Sequence, residues 1–201
     1  MVLRPYTQGM DMPKIYYTIK KQNLQRFFAL HVYIFYDKMV ATIKKRKMKM
    51  EVTRIASFEV DHNVLKPGLY ISRVDGDITT YDIRTRVPNQ PDLMDNSTMH
   101  TCEHMLATYF RNSEIKDDVI YFGAMGCQTG FYLLVRNADH HQVLKVLREC
   151  VDKTIHHEGA VFGNSAKECG NYRTLNLSMA QAECRRYAKI LEKVDADHLN
   201  Y

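Results

Sequence analysis

The fold is decided by the stretch Leu69-Tyr70-Ile71-Ser72-Arg73-Val74-Asp75-Gly76-Asp77-Ile78-Thr79-Thr80-Tyr81-Asp82-Ile83. Two runs of strand-forming residues flank the dipeptide Asp75-Gly76, and such a dipeptide between two runs of this kind is a strong hairpin signal. The stretch therefore predicts two antiparallel strands joined by a tight turn.

Further strands are predicted on both sides of this hairpin. Upstream, Phe58 and Val60 alternate with polar neighbours, which predicts a strand at about 55–61. Downstream, residues 118–124 and 131–135 form two more candidate strands, separated by a turn that glycines bound. The strands come mainly early and in hairpin-like order, which favours antiparallel pairing.

Three helices are predicted from their N-terminal signals. Asp95 and the polar residues after it offer N-caps for the first helix, and Asp139 offers one for the second. Ser178, followed by Gln181 three residues later, forms a capping box for the last helix. The expected class is α+β, with an antiparallel sheet and helices packed on one of its faces.

Composition places the chain among globular proteins. Its 201 residues are 45% hydrophobic and 25% charged, which excludes wholly disordered, collagen-like and fibrous chains. No run of about 18 apolar residues is present, so no membrane span is expected. The five cysteines are too few, and odd in number, for a disulfide scaffold. They are expected as thiols in a reducing compartment, which predicts a cytoplasmic protein.

The net charge of +5 is unevenly distributed. Residues 1–50 hold eleven Lys or Arg and two Asp or Glu, whereas residues 51–201 hold seventeen and twenty-one. A basic arm therefore precedes a mildly acidic body. The body has no electrostatic footprint for nucleic acid, so nucleic acid is not an expected partner.

The arm at 1–49 is open to three interpretations. It could contact nucleic acid or an anionic membrane, or it could be a genuine accessory segment. The favoured interpretation is upstream sequence translated from a start chosen too early, because Met48 and Met50 lie just before the first patterned strand. The predicted division is a basic extension at 1–49, non-native or disordered, and a functional domain at 50–201.

The first motif that carries chemistry is His100-Thr101-Cys102-Glu103-His104, on the first predicted helix. Residues four apart share a helical face, so both imidazoles can reach one metal ion. Glu103 lies beside them and could move protons on a metal-bound water or a substrate oxygen. Two such histidines are usually plain surface or core residues, but the intervening glutamate and the capped helix favour a metal site.

Two loops offer thiols. The loop Met125-Gly126-Cys127-Gln128-Thr129-Gly130 presents Cys127 between two strands, where it could act as an acid/base group or a nucleophile, or could simply be buried. In Glu168-Cys169-Gly170, a Cys169 thiolate could be a third metal ligand, which leaves one tetrahedral position open, as a catalytic site needs. The cysteines on predicted helices are expected to be packing residues; these are Cys102, Cys150 and Cys184.

Together these segments resemble the S-ribosylhomocysteine lyase family of autoinducer-2 synthesis, the LuxS family. The resemblance covers about residues 51–200, with the motifs in the family's order and spacing, and the arm at 1–49 has no counterpart in it. Besides the three motifs above, the segments that carry it are Ser57-Phe58-Glu59-Val60-Asp61-His62, Asp82-Ile83-Arg84 and Pro88-Asn89.

The resemblance implies a homodimer with active sites at the subunit interface. It implies that S-ribosylhomocysteine is cleaved to homocysteine and 4,5-dihydroxy-2,3-pentanedione by carbonyl migration and β-elimination. It also implies one divalent metal per subunit, preferably Fe²⁺ with Zn²⁺ or Co²⁺ as substitutes, held by His100, His104 and Cys169. Glu103 and Cys127 would be the acid/base groups.

The family pattern also implies a set of substrate-binding residues. These are Ser57, His62 and Arg84, with Arg84 near Cys127. The family usually has an aliphatic residue at the position of Cys102, so this thiol beside the metal helix is a departure from the pattern.

Two other classes of function stay open. One is a metallopeptidase, because the H-x-x-E-H spacing is that of the inverzincins, in which the glutamate activates water. The other is a binding module with a structural zinc, which would need a fourth protein ligand from Cys102 or His62.

Overall fold

The computed structural model of the chain describes residues 26, 29, 31–42, 52–55 and 58–201. The chain divides into two compact units, Met1–Thr53 and Arg54–Tyr201. In the first unit, residues 31–42 form helix α1, and nearly all of its side chains are exposed. Among the described residues, no helix is both long enough and apolar enough to cross a membrane. The proposed starts at Met48 and Met50 lie outside the described residues.

The second unit is built on a four-stranded antiparallel sheet with the order β1-β2-β4-β3. Its strands are β1 (Gly68–Asp75), β2 (Ile78–Arg84), β3 (Val119–Ala124) and β4 (Gly130–Arg136). The predicted hairpin is confirmed, because Asp75 pairs with Ile78 at its tip and Gly76 between them adopts a φ of +62°. Only glycine takes this left-handed conformation without strain, which explains the turn.

The helices of this unit are α2 (Asn96–Phe110), α3 (His140–Ile155) and α4 (Leu177–Leu191), with a short 3-10 helix at Tyr172–Thr174. Asp95 and Asp139 cap α2 and α3 as predicted, each through a carboxylate that accepts a backbone N–H of the first turn. The predicted cap of α4 is wrong by two residues. Asn176 is the N-cap, and the Ser178 hydroxyl donates to its side chain at 2.8 Å instead of capping the helix.

The hydrophobic core lies between the helices and one face of the sheet. Alternate strand residues, among them Leu69, Ile83 and Leu133, share that face and join Leu147 and Tyr187 of the helices in one buried cluster. The α+β class is therefore confirmed. Three cysteines predicted to be packing residues are buried in the same cluster; these are Cys102, Cys150 and Cys184.

The strand predicted at 55–61 is wrong for the residues that the structure describes there. Phe58 lies in a helical turn and is 62% exposed. The Asp61 carboxylate accepts the backbone N–H of Asn63 at 2.9 Å, and His62 Nδ1 lies 2.8 Å from the carbonyl oxygen of Val60. Such local bonds between side chains and backbone offer an alternative to strand pairing, which overrides the weak alternation of the sequence.

Candidate metal centre

Three side chains converge between helix α2 and the loop that precedes α4. The ligand atoms of His100, His104 and Cys169 all lie within 4.8 Å of one another, and Cys169 Sγ is 3.4 Å from His100 Nε2. In a tetrahedral site with metal–nitrogen and metal–sulfur bonds of about 2.0 and 2.3 Å, the nitrogen–sulfur separation is about 3.5 Å. The group therefore has the dimensions of a metal site.

Hydrogen bonds determine which nitrogen of each imidazole is free. His104 Nδ1 lies 2.7 Å from the carbonyl oxygen of Phe162, which can only accept, so Nδ1 carries the proton. His100 Nδ1 lies 3.1 Å from Thr174 Oγ1, and that hydroxyl donates its own proton to the carbonyl of Asn171 at 3.0 Å. Thr174 therefore accepts from His100. Both histidines present the lone pair of Nε2, the form that a metal ion requires.

The third side chain is held by the backbone of its own loop. The N–H of Cys169 donates to the carbonyl of Ser165 at 3.0 Å, which closes a turn beneath the sulfur. The N–H of Asn171 lies 3.4 Å from Cys169 Sγ and donates to it. This backbone donor helps to fix the position of the sulfur beside His100.

The electrostatics of the helix also favour metal binding. Partial burial lowers the pKa of His100, the neighbouring His104 lowers it further, and Glu103 opposes both effects. The neutral imidazole therefore persists to lower pH than in a free histidine. Glu103 is half-buried and lines an open depression of about 390 Å³ together with both histidines and Phe162. A carboxylate thus stands beside the three candidate ligands, where a small molecule could enter.

Cys127 lies in a second group of residues, at the turn between β3 and β4. Its thiol is exposed, 3.0 Å from Thr129 Oγ1 and 3.9 Å from Arg84 Nη1. Arg84 also donates to Thr129 and forms a buried ion pair with Asp82, whose carboxylate accepts the hydroxyl of Tyr201 at 2.9 Å. The structure therefore brings together Arg84 and Cys127, the two residues that the family resemblance places near each other.

In this second group, burial has the largest effect on the pKa values of Asp82 and Arg84. Burial raises the pKa of Asp82, although Arg84 opposes the increase. Burial would lower the pKa of Arg84, but Asp82 and Cys127 raise it above its ordinary value. Arg84 therefore stays a cation. A cation therefore lies 3.9 Å from the accessible thiol of Cys127.

The turn that carries Cys127 also contacts helix α2. The left-handed residue of the turn is Gln128, with a φ of +63°, and neither flanking glycine has a positive φ. The Gln128 side-chain amide donates to Asn96 Oδ1 at 3.3 Å. The backbone carbonyl of Gln128 accepts the backbone N–H of Met94 at 3.1 Å. Asn96 begins α2, one turn before His100. Hydrogen bonds thus connect the Cys127 turn to the helix that carries both histidines.

The remaining expected residues are Ser57, His62 and Cys102. Ser57 lies outside the described residues. His62 is half-buried, and its charge is one of those that oppose the effect of burial on the pKa of Asp82, so it lies within electrostatic range of that carboxylate. Cys102 is buried, with its sulfur 3.9 Å from the carbonyl oxygen of Ala180 on α4. Neither Cys102 nor His62 joins the three candidate ligands, so the structural-zinc alternative gains no fourth ligand from them.

Three residues of the metal centre were missed by reasoning from the sequence. Phe162 and Thr174 orient the two imidazoles, and Gly163 lies against His104, where a Cβ atom would be 3.0 Å from Nδ1. The glycine was the one available signal, because glycine in a polar loop often marks a close approach.

Known proteins resemble this chain over most of its length. Residues 55–198 match the family model described as S-Ribosylhomocysteinase (LuxS). The chain is 39% identical over 155 residues to the S-ribosylhomocysteine lyase of Finegoldia magna, which covers 75% of this chain and 99% of the relative. It is 41% identical over 154 residues to that of Clostridium acetobutylicum, covering 74% of this chain and 98% of the relative. The protein of the same name from Borreliella afzelii is 38% identical over 154 residues, with the same coverage of 74% and 98%.

Proposed function

Because this chain belongs to the S-ribosylhomocysteinase (LuxS) family and is therefore a carbon–sulfur lyase, we propose that its substrate is S-ribosylhomocysteine. The products are homocysteine and 4,5-dihydroxy-2,3-pentanedione, the autoinducer-2 precursor. The observation that carries the proposal is the convergence of His100, His104 and Cys169 beside Glu103, in a chain that matches its relatives over nearly their whole length.

The three converging side chains fit a divalent metal. Two neutral imidazoles and one thiolate are the ligands that zinc and iron accept, and three protein ligands leave a position for substrate. His100 and His104 would bind through Nε2, and Cys169 through Sγ. A bound divalent ion would act as a Lewis acid on the sugar oxygens and would orient the substrate. We propose Fe²⁺, which the family resemblance favours. Because the reaction requires no change in the metal's oxidation state, Zn²⁺ or Co²⁺ could substitute.

Two residues of this chain would move the protons. The thioether bond of the substrate is unactivated, so the sugar carbonyl must first migrate along the carbon atoms of the sugar towards the sulfur. Each migration removes a proton from the carbon that becomes the new carbonyl and adds a proton to the former carbonyl carbon. Glu103 beside the candidate ligands and Cys127 beside Arg84 are the groups proposed for these transfers. In the last step, a base removes the proton α to the new carbonyl, the C–S bond breaks and homocysteine thiolate leaves.

The other proposed contacts follow the family resemblance. Ser57, His62 and Arg84 would bind the substrate, and two copies of the chain would form a homodimer with active sites at their interface. The position of His62 near Asp82 and the short approach of Arg84 to Cys127 support two of these assignments. A reducing cytoplasm suits a chain in which all five cysteines are free.

The functional domain is proposed to be residues 50–201, without the basic extension at 1–49. The family match begins at residue 55, and the Finegoldia magna relative is covered to 99% by three quarters of this chain. Cys127, Glu103 and the three candidate ligands all lie inside this domain.

The proposal is tested by incubating the metal-loaded protein with S-ribosylhomocysteine and a thiol reagent. Homocysteine release by the wild type, and none by the Cys127→Ser variant, is the expected result. Wild-type protein that holds metal but releases no thiol would refute the proposed substrate. The same preparation is given a peptide substrate with and without chelator, and chelator-sensitive peptide cleavage would favour the metallopeptidase alternative instead.

A further inference from the structure

We propose that Tyr109 and His157 are positioning residues for the metal ligand His104, which they orient through the carbonyl group of Phe162. The inference rests on the proposed function, because His104 has a ligand's role only if the centre binds metal. Neither Tyr109 nor His157 reaches the candidate ligand atoms. Their effect passes through the loop that approaches His104 from the side opposite its free nitrogen.

The hydrogen bonds of His157 assign its protonation. Its Nε2 lies 2.9 Å from the carbonyl oxygen of Ala160, which can only accept, so Nε2 carries a proton. Its Nδ1 lies 2.8 Å from the hydroxyl of Tyr109. In the neutral imidazole Nδ1 is then an acceptor, and Tyr109 donates. The His157 side chain thus forms one hydrogen bond within its own loop, to Ala160, and one to Tyr109 on helix α2.

The aromatic rings hold the same loop by packing. The ring of Phe162 lies with its centroid 5.3 Å from that of Tyr109, at an interplanar angle of 86°, and 4.9 Å from that of His157, at 62°. Both are edge-to-face arrangements, which are favourable for aromatic pairs. From the other side, the Gln181 amide on α4 donates to the carbonyl of His157 at 2.9 Å. Phe162 is therefore packed against Tyr109 of α2 and against His157, whose backbone is held by Gln181 of α4.

These contacts form a closed circuit that begins and ends on α2. Tyr109 of α2 is hydrogen-bonded to His157, and the His157 ring packs against that of Phe162. The carbonyl of Phe162 lies 2.7 Å from Nδ1 of His104, which is on α2 again. The same helix therefore supplies the ligand and, through the loop, the acceptor that sets the ligand's ring orientation. Contacts of this kind around metal-binding histidines fix the tautomer and the ring angle, and their loss typically weakens metal binding about tenfold to a hundredfold.

The test measures Co²⁺ binding, because Co²⁺ reports both affinity and ligand geometry through its visible absorption bands. Tyr109→Phe removes only the hydroxyl, and His157→Phe removes both hydrogen bonds but keeps a ring for packing. Each variant is expected to bind Co²⁺ about tenfold more weakly, by chelator competition, with altered band positions or intensities. The double variant is expected to be no weaker than the weaker single variant, because the two residues act in one circuit.

Tyr121→Phe is the matched control, since it removes the same hydroxyl from an exposed tyrosine of β3, and it should bind Co²⁺ as the wild type does. Melting of the chelated proteins separates positioning from a purely structural role. A variant that melts earlier but binds Co²⁺ with wild-type affinity and bands overturns the inference. So does strict additivity of the two substitutions. If the wild type itself binds no Co²⁺, the proposed metal centre fails, and the inference fails with it.

Discussion

Gly163 lies directly against the imidazole of His104, with no room for a side chain between them. A Cβ atom at this position would be 3.0 Å from Nδ1 and 3.1 Å from Cε1 of that ring. Gly163 also adopts a φ of +69°, a conformation that other residues take only with strain. The close approach lets the preceding carbonyl, that of Phe162, accept from His104.

Substituting Gly163 should therefore weaken metal binding as well as stability. Gly163→Ala is expected to push the His104 ring away from Phe162 and to lower metal affinity about tenfold. Gly159→Ala is the matched control, because Gly159 also has a positive φ, of +102°, but a Cβ atom added there would meet no other atom within 4 Å. Both variants should lose about 1 kcal/mol of stability or more through backbone strain. Equal metal affinity in the two variants would contradict the role of the close approach.

Changing Cys169 or Cys127 to serine should abolish activity for a different reason in each case. Cys169→Ser replaces a thiolate by a hydroxyl that binds divalent ions poorly, so metal content and any metal-dependent stability should fall. Cys127→Ser removes a proton carrier outside the three-ligand group, so metal content should stay near that of the wild type. Both variants should release no homocysteine. Metal analysis of proteins prepared identically decides the matter, and the opposite pattern of metal loss would mean that the ligand and the acid/base group are exchanged.

Glu103 should be required for the reaction but not for metal binding. Glu103→Gln keeps the size of the side chain and removes its ability to take a proton, so turnover is expected to fall by about 10²-fold to 10⁴-fold. Metal content should be unchanged, because Glu103 is outside the three-ligand group. Glu158→Gln removes the same charge from an exposed position and should retain full turnover. Near-normal homocysteine release by Glu103→Gln would exclude Glu103 as an acid/base group.

An ion-pair network around the buried Glu183 should contribute to the pH dependence of the fold's stability. Glu183 on α4 pairs with Arg86 at 2.5 Å and with Arg186 at 3.0 Å. Burial alone would raise the pKa of Glu183, but hydrogen bonds from Arg186 and Arg86 hold it below the ordinary value of 4.5. The folded state thus releases this proton more readily than the unfolded state. Its contribution to stability is complete above pH 4.5 and is lost as the pH falls through the folded-state pKa.

Glu183→Gln tests this contribution by urea unfolding of the chelated protein at neutral and acid pH. The variant is expected to lose about 1–3 kcal/mol at neutral pH, because the partly buried Arg86 and Arg186 lose their charged hydrogen-bond acceptor. It should also lose less additional stability on acidification than the wild type. Glu192→Gln, at an exposed position just after α4, should leave both measurements near wild type. A Glu183→Gln variant with wild-type stability at neutral pH would show that the network is not stabilising.

The basic extension should be dispensable. Deleting residues 1–49 is expected to leave homocysteine release, metal content and the number of subunits per particle unchanged, because no proposed site residue lies there. Deleting residues 1–57 also removes Ser57 and should lower activity if Ser57 contacts substrate. A large loss of activity or solubility in the shorter deletion would show that the extension belongs to the working protein.

The sequence predicted best what is local in the chain. The Asp75-Gly76 hairpin and the caps of α2 and α3 depend on residues a few positions apart, and all three were confirmed. The strand at 55–61 was wrong because Asp61 and its neighbours bind the backbone locally, which alternation of apolar residues does not reveal. The four-residue spacing of two histidines is likewise a local property of a helix.

Parts of the site that depend on distant segments could not be predicted from spacing. Cys169 lies 69 positions beyond His100; its own loop offers it only as one possible ligand, and the family resemblance is what implies its place beside the two histidines. The contacts of Phe162 with His104, and of Thr174 with His100, join segments 58 and 74 positions apart. Nothing in the residue types of Phe162 or Thr174 indicates such a role, because each acts through a position that the folded loops alone determine.

The buried ion pair of Asp82 and Arg84 places a cation beside Cys127 at a cost in stability. Both side chains are almost fully buried, and Asp82 Oδ1 and Arg84 Nε have no hydrogen-bond partner among the described residues. Replacing a buried ion pair of this kind by apolar residues of similar size is often neutral or stabilises a protein by about 1–4 kcal/mol. Selection for heat resistance alone would therefore discard the pair, and the hardier protein would have no cation beside Cys127. On the proposed mechanism, the reaction and not the fold requires these two charges inside the molecule.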